Sequence, residues 1–425
     1  MFRFLHAADV HLDSPLCGLE RYEGAPVQEV RGATRQALAA LADCAVKEKV
    51  AFVLIAGDLY DGDWRDYGTG LVFVREMVRL READIPVFVI AGNHDAQSQI
   101  TKALRLPENV RLFPAEEPRT VVDEDRGIAV HGQSFATRAV TEDLSVRYPD
   151  PVSGLFNVGL LHTSADGREG HEPYAPSRPG ALALKGYDYW ALGHVHKREI
   201  LHRDPWVVFC GNLQGRHIRE TGPKGCTIVT VDSGKVRRVD HRALDVLRWA
   251  VCEVDATGAE DVGAVLERVG TALKADAEAA DGRILGVRVR LRGACTAHRL
   301  LVADPERWRS EVRAVAADVG RGTIWVEKVA IETSPVWDAK ELADREDAFG
   351  GLVRASLDMG HDSEVLTAFA SEVAELRRKL PGGVFGSGDG PEIGSPDWVR
   401  DALPSMADIL LARLLDAADG KAASS

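Results

Sequence analysis

Five short apolar runs, each closing on a polar motif, constrain this chain more than any other feature. Phe2–Ala8, Ala51–Ala56 and Pro86–Ala91 are β-rich. They lead into Asp9-x-His11, Gly57-Asp58 and Gly92-Asn93-His94-Asp95. Asn157–His162 ends on His162, and Tyr187–Leu192 runs into Gly193-His194-x-His196. Between the first two runs, from about Pro26 to Lys49, Val27, Val30, Leu38, Leu41 and Ala45 fall near helical spacing. A second helical stretch covers about Tyr67 to Arg81. Alternating short apolar strands and helices predict a sheet covered by helices on both faces. Ligands of such sheets bind beyond the carboxyl ends of the strands, which is where the motifs fall.

After about residue 110 the pattern turns strand-rich, with Thr120–Asp123, Gly127–His131, Val207–Cys210, Cys226–Val231 and Val236–His241. A second sheet packed on the first is expected, giving a layered α/β sandwich over residues 1–245. Residues 246–335 read strand, helix, strand, helix, strand, as a small separate α+β domain. Residues 336–425 read as a helical segment. In it, His361–Leu380 places Val365, Leu366, Phe369, Val373, Leu376 and Leu380 on one face. A Gly/Pro/Ser-rich linker, 381–396, precedes a last helical stretch with Ser395 placed to cap and Pro396 at the first turn. Pro404 is expected to kink that stretch or start a new helix, and Lys421–Ser425 to fray.

No run of about 20 apolar residues predicts a membrane span. The opening Met1-Phe-Arg-Phe-Leu-His lacks the pattern of a signal peptide, so the expected compartment is the cytoplasm. The six cysteines, 17, 44, 210, 226, 252 and 295, form no C-x-x-C pair and read as reduced core thiols. The net charge of −13 argues against binding nucleic acid through bulk charge alone. Much of it sits in the tail, where residues 336–425 carry 9 basic and 17 acidic side chains. It therefore says little about the first 245 residues.

Phosphodiester hydrolysis must place a nucleophile in line and neutralise charge on phosphate and leaving group. Two divalent cations about 4 Å apart do both, and they lower the pKa of bound water. Asp58 is the natural bridge between such a pair, a carboxylate released at a strand end by Gly57. Asp9 and His11 alternate along an extended chain end, so their side chains can point the same way. With His196 they can hold one ion; Asn93, His162 and His194 can hold the other. His94 is assigned to substrate, where its imidazolium can hydrogen-bond phosphate or protonate the leaving oxygen. Asp95 can orient His94 or raise its pKa. Taken singly, Asp-x-His is common surface chemistry and Gly-Asp is usually a turn. Five such pieces in this order, each at a predicted strand end, point to one metal site. Oxygen and nitrogen ligation without thiolate fits Mn²⁺ and, less selectively, Mg²⁺, Fe or Zn²⁺.

This constellation resembles that of the calcineurin-like metallophosphoesterases. The opening His6-Ala-Ala-Asp-Val-His-Leu-Asp-Ser-Pro15 is similar, more narrowly, to the SbcD and YhaO branch of DNA repair nucleases. The resemblance implies a two-sheet sandwich flanked by helices and binding two Mn²⁺ ions, a capping domain that positions DNA, and C-terminal helices that bind an SbcC-like coiled-coil ATPase. It further implies a homodimer, exonuclease cleavage of duplex ends and endonuclease action on single strands. The family's ligands fall on Asp9, His11, Asp58, Asn93, His162, His194 and His196, and its catalytic histidine on His94. One position departs. Many of these nucleases carry a second histidine three residues after the bridging Asp, where this chain has Asp61. An aspartate cannot donate to phosphate as a cation; Asp61 is expected to orient a neighbouring ligand.

Two further features bear on the substrate. Arg288, Arg290 and Arg292 alternate with apolar residues, so one strand face carries three guanidinium groups about 7 Å apart. They are candidate DNA contacts; a solvated face paired with nearby acids is the alternative. The two tail helices can clasp a partner's coiled coil or pack back on their own core. The competing function is a calcineurin-like phosphodiesterase or phosphatase acting on a small nucleotide or phosphate ester. Such an enzyme leaves about 180 residues beyond the metal core unexplained. Under the nuclease reading, a chain ending near residue 337 keeps metal-dependent cleavage and loses binding to an ATPase partner. Activity and pull-down measurements check this, and failure of the truncated core to fold counts against it.

Overall fold

The computed structural model describes residues 1–14, 27–61, 67–97, 105–167, 174–337, 339–359, 362–379 and 394–403, with 406, 409–411 and 413. Two compact units result. One comprises Met1–Val251, Ala277–Val287 and Thr323–Glu327; the other comprises Cys252–Asp276, Arg288–Gly322 and Lys328–Ser425.

The first unit holds two six-stranded sheets. The first contains β1 (Phe2–Ala7), β2 (Phe52–Ala56), β3 (Val87–Ile90), β4 (Val110–Leu112), β11 (Gly225–Asp232) and β12 (Lys235–Ala243), in the order β12-β11-β1-β2-β3-β4. Strands β1 to β4 run parallel, and β11 joins antiparallel to β1. The connections are α1 (Val27–Glu48) and α2 (Tyr67–Glu82), within a residue or so of the helices expected from periodicity. Side chains alternate along a strand, and both faces of β1 to β3 are apolar because both are covered. Leu5, Ala7, Val53, Ile55, Val87 and Val89 share a core with Leu38, Leu41, Phe73 and Met77 of the two helices. Phe4, Phe52, Leu54, Phe88 and Ile90 face the second sheet, so helices cover one face of the first sheet and not both as expected. Burying a phenylalanine in this way stabilises by roughly 1.5–3 kcal/mol, and Phe4 stacks on Phe52 at 4.8 Å.

The second sheet contains β5 (Arg119–Asp123), β6 (Ile128–Gly132), β7 (Phe156–His162), β8 (Tyr189–Gly193), β9 (Glu199–Arg203) and β10 (Trp206–Phe209), ordered β5-β6-β7-β8-β10-β9. Val130, Val158, Leu160, Tyr189 and Ala191 meet the first sheet, whereas Leu161, Trp190 and Leu192 face a further core with Phe135, Tyr148 and Leu182. The expected layered sandwich is the architecture found. Its β6, β7, β8 and β10 are parallel, so their carboxyl ends share one edge.

A third sheet, β13-β14-β15, consists of Leu247–Asp255, Ile284–Ala294 and Ile324–Ser334, with helices Val262–Ala279 and Pro305–Gly320 between the strands. Asp304 caps the second helix by accepting from the Arg307 amide, and Pro305 occupies its first turn. In the tail, Leu366 and Ala370 of the helix Ser363–Lys379 pack with Val399 and Leu403, and the Ser395 hydroxyl accepts from the Trp398 amide. The apolar face expected there is covered only in part. Phe369 and Leu376 are 40% and 56% exposed, because the neighbouring segment covers the turn around Leu366 and Ala370 instead. Leu380, most of the linker, Cys17, Pro404 and the terminal Lys421–Ser425 lie outside the described residues.

Gly159 on β7 stands beside Trp190 on β8, and a Cβ there would lie 2.3 Å from the indole. The ring is fully buried, and its Nε1 donates to the Leu182 carbonyl at 2.9 Å. Gly159→Ala is therefore expected to destabilise the chain by about 1–3 kcal/mol, read as a lower urea midpoint. An unchanged midpoint would mean that the indole has room to move.

Candidate metal centre

The polar motifs follow β1, β2 and β3 of the first sheet and β7 and β8 of the second, so five carboxyl ends open onto one crevice of the first unit. The Asp9 amide donates to the Gly57 carbonyl and the His11 amide to the Asp58 carbonyl, both at 3.0 Å. Asp9, His11, Asp58 and His194 all have positive φ, at 50°, 44°, 53° and 100°. Non-glycine residues adopt that region at a cost, and such strain gathers at functional sites. Asp9 and His11 therefore converge through left-handed kinks, not through the extended alternation expected from sequence. Small residues permit the approach of the strands. A Cβ on Gly92 would lie 2.3 Å from Asp58 Oδ1, and one on Gly193 would lie 1.9 Å from the Ala56 carbonyl.

The structure brings all seven candidate ligands together. Asp9, His11 and His196 form one group of donors, and Asp58, His162 and His194 another. Asp58 Oδ2 lies 3.8 Å from His11 Nε2 and 3.5 Å from His162 Nε2, so it stands between the two. Asn93 Oδ1 lies 2.9 Å from His162 Nε2 and 3.2 Å from His194 Nδ1. The Asp9 carboxylate accepts from the His194 amide at 3.0 Å.

Hydrogen bonding fixes which nitrogens carry lone pairs. His162 Nδ1 must donate to the Ala56 carbonyl at 2.8 Å, and His196 Nδ1 to the Glu220 carboxylate at 2.7 Å. Each ring then turns an unprotonated Nε2 inward, that of His196 to within 3.2 Å of His11 Nε2. Burial pushes the Asp9 carboxyl well above its ordinary range, the facing Asp58 adding to this, and raises Asp58 as well. Burial also lowers His11 strongly and brings His162 to about 3. Neutral imidazoles and crowded carboxylates sharing one buried space are what divalent cations require and relieve. The donor set fits a metal centre.

His94 stands at the crevice with its side chain 28% exposed. Its amide donates to Asp58 Oδ1 at 2.9 Å, and its Nδ1 donates to Asp61 Oδ1 at 2.7 Å. Burial disfavours the imidazolium, but the Asp61 hydrogen bond and the charges of Asp58 and Asp61 outweigh it, so the pKa is raised. Asp61 is thus the orienting group, and the expectation for Asp95 is corrected. Both Asp95 oxygens are occupied by backbone amides, those of Gly92, Leu59 and Tyr60 at 2.8–3.0 Å. Asp95 ties the β2 and β3 loops together.

Two residues escaped the sequence reading. Glu220 sets the His196 tautomer, and Arg216 lies within 3.6 Å of Asp61. Both belong to the turn after β10, a parallel strand whose carboxyl end joins the same edge. That topology was the available signal, but the turn lacks the Asp and His motifs of the others. The arginine row follows the alternative reading, a face paired with nearby acids. Arg290 and Arg292, on the middle strand β14, pair with Glu253 of β13 and Glu332 of β15 at 2.7–3.3 Å. Arg288 has a partner as well. The row is matched by neighbouring acids and is not a bare cationic strip. His6 and His131 are buried and bond Tyr189 and Asn157.

A family model described as calcineurin-like phosphoesterase matches residues 2–198, and one described as the middle domain of metallophosphoesterase YhaO matches residues 249–334. The chain is 40% identical over 270 residues to a protein of Bacillus subtilis described as an uncharacterized metallophosphoesterase YhaO, covering 63% of this chain and 66% of that one. It is 30% identical over 295 residues to the DNA double-strand break repair protein Mre11 of Sulfurisphaera tokodaii, covering 63% of this chain and 70% of the relative. With the protein of the same description from Haloferax volcanii it is 28% identical over 278 residues, covering 63% and 58%. The matches to the Bacillus and Haloferax proteins thus span less than two thirds of those relatives.

Glu220→Ala removes the acceptor that holds His196 Nδ1. The expected result is affinity for a divalent ion lowered about 10- to 100-fold, measured by calorimetric titration with Mn²⁺. Unaltered affinity would show that the ring keeps its tautomer without help.

Proposed function

Because the chain belongs to the calcineurin-like phosphoesterases, hydrolases of phosphoester bonds, we propose that it is an Mn²⁺-dependent DNA nuclease that works with a coiled-coil ATPase in DNA repair. The observation that carries this reading is the gathering of six oxygen and nitrogen donors about Asp58, with the ring of His94 beside them. Asp9, His11, Asp58 and His196 would hold one ion, and Asp58, Asn93, His162 and His194 the other. Bound there, the two ions supply charge neutralisation and an activated water for attack on phosphorus.

The chain's own residues do the rest. Asp61 fixes His94 Nδ1 and favours the imidazolium, which leaves Nε2 to donate to a phosphate oxygen or to pass its proton to the departing ester oxygen. Glu220 holds His196 with its lone pair turned inward. Asp95 anchors the loop that carries Asn93 and His94. DNA as substrate is supported by relatives described as double-strand break repair proteins. Exonuclease action on duplex ends, with endonuclease action on single strands, belongs to the same reading.

We assign residues 1–245 to the nuclease core, 246–335 to a cap and 336–425 to partner binding, with a homodimer as the working assembly. The exposed Phe369 and Leu376 give the tail an apolar surface on which a coiled coil can dock. No helix among the described residues is long and apolar enough to cross a membrane. Five described cysteines are free thiols, which suits the cytoplasm.

End-labelled duplex and a nucleotide ester, each offered with Mn²⁺, test the substrate class. The duplex is expected to be degraded and chelation to stop it; turnover of the ester alone would instead favour a small-molecule phosphodiesterase. His94→Ala is expected to lower turnover about 10²- to 10⁴-fold with bound metal unchanged. Full activity in that variant would remove His94 from the chemistry.

A further inference from the structure

We propose that Arg216 is a second phosphate-binding cation of this site, whose guanidinium takes the non-bridging oxygens of the phosphodiester next to His94. The inference rests on the phosphodiesterase reading above and adds to it the residue that grips the substrate.

The backbone around Arg216 is locked. Its amide donates to Glu220 Oε2 at 2.7 Å, and the same oxygen accepts from Asn212 Nδ2 at 2.9 Å. Trp249 Nε1 holds the preceding Gly215 carbonyl at 3.0 Å, and a Cβ on Gly215 would lie 2.9 Å from both Trp249 Cδ1 and the Glu220 carbonyl. The side chain thus starts from a fixed point, and it is only 17% exposed.

Its charged end is far less well held. Among the described residues, NH1 lies 3.4 Å from Ser14 Oγ and 3.6 Å from Asp61 Oδ2, and NH2 lies 3.7 Å from Glu220 Oε1. The remaining neighbour, His196 Nδ1 at 3.5 Å, has its own proton on Glu220 and cannot accept. Among the described residues the buried Nε has no hydrogen-bond partner. Good N–H···O bonds measure 2.7–3.2 Å. Other arginines of this unit reach that range: Arg248 grips Asp245 through two nitrogens at 2.9 and 3.0 Å, and Arg126 grips Asp123 at 3.0 Å. Arg216 is therefore placed by charge, with hydrogen-bonding capacity left over. A mostly buried guanidinium in that state is costly, and an anion with two acceptor oxygens relieves the cost.

Asp61 explains the position. Its Oδ1 holds His94 Nδ1 at 2.7 Å, and its Oδ2, which accepts from Ser14 at 2.5 Å, faces Arg216. One carboxylate thereby sets the His94 ring and the Arg216 guanidinium side by side at the edge of the donor cluster. The planar fork of arginine matches the paired oxygens of a phosphodiester, which a lysine contacts only as a point charge.

The full-length chain, loaded with Mn²⁺, tests the proposal through Arg216→Gln and Arg216→Lys. Inorganic phosphate is the probe, followed by calorimetry and as an inhibitor of bis(4-nitrophenyl) phosphate hydrolysis. Arg216→Gln should weaken phosphate binding about tenfold or more and raise KM, with the metal content and Tm of the wild type. Arg216→Lys should fall between the two. Phosphate binding within about twofold of wild type in a folded, metal-loaded Arg216→Gln chain overturns the assignment. So does metal loss in step with phosphate loss, which would make Arg216 a support for His196. If the glutamine variant does not fold, the lysine variant decides by the same two measurements. A wild-type chain that binds phosphate but cleaves no phosphodiester refutes the enzymatic reading instead; calorimetry on the glutamine variant then still decides the role of Arg216.

Discussion

The crevice is governed by a conflict of charge that the apolar sandwich creates. Asp9 and Asp58 are each 1% exposed, in a place where an ionised carboxylate loses nearly all its hydration. The same burial that drives them towards the neutral form drives His11 and His162 away from the imidazolium that might have compensated. Protonation within the chain cannot satisfy both kinds of group. An external divalent cation can, since it needs carboxylates ionised and imidazoles neutral. The positive-φ residues, the cleared glycines and the Asp95 anchor hold the donors in an arrangement they would not adopt by themselves.

Most of the framework was legible in the sequence because it rests on local rules. Continuous apolar strands such as Phe52–Ala56 need cover on both faces, helical spacing gave α1 and α2 to within a residue or so, and motifs at strand ends shared an edge once the strands were parallel. The seven candidate ligands carried their own signal, because few other uses call for those residue types at those places. What stayed hidden depends on contacts between segments far apart in sequence. Asp95 follows His94 directly, yet the backbone turns it inward to three amides; the group that touches His94 is Asp61, from the preceding crossover. Neighbours in sequence were mistaken for neighbours in space.

The same limit explains the arginine row and the tail. A single strand displays Arg290 and Arg292 but not that β14 is the central strand, flanked by Glu253 and Glu332. Helical periodicity groups Val365, Leu366, Phe369 and Leu376, but it cannot say which part of that stripe the following segment will cover. Arg216 and Glu220 went unnoticed for a further reason: their turn follows a strand in the expected way but bears no residue that advertises metal chemistry.

Glu220 joins three things in one carboxylate: the ring of His196, the amide of Asn212 and the backbone at Arg216. Ligand basicity and the shape of the adjacent turn are therefore not independent variables in this chain. Two proteins sharing all seven donors but differing between positions 212 and 220 need not prefer the same ion or grip the same anion. The segment from 212 to 220 thus couples the candidate ligand His196 to the turn that carries Arg216.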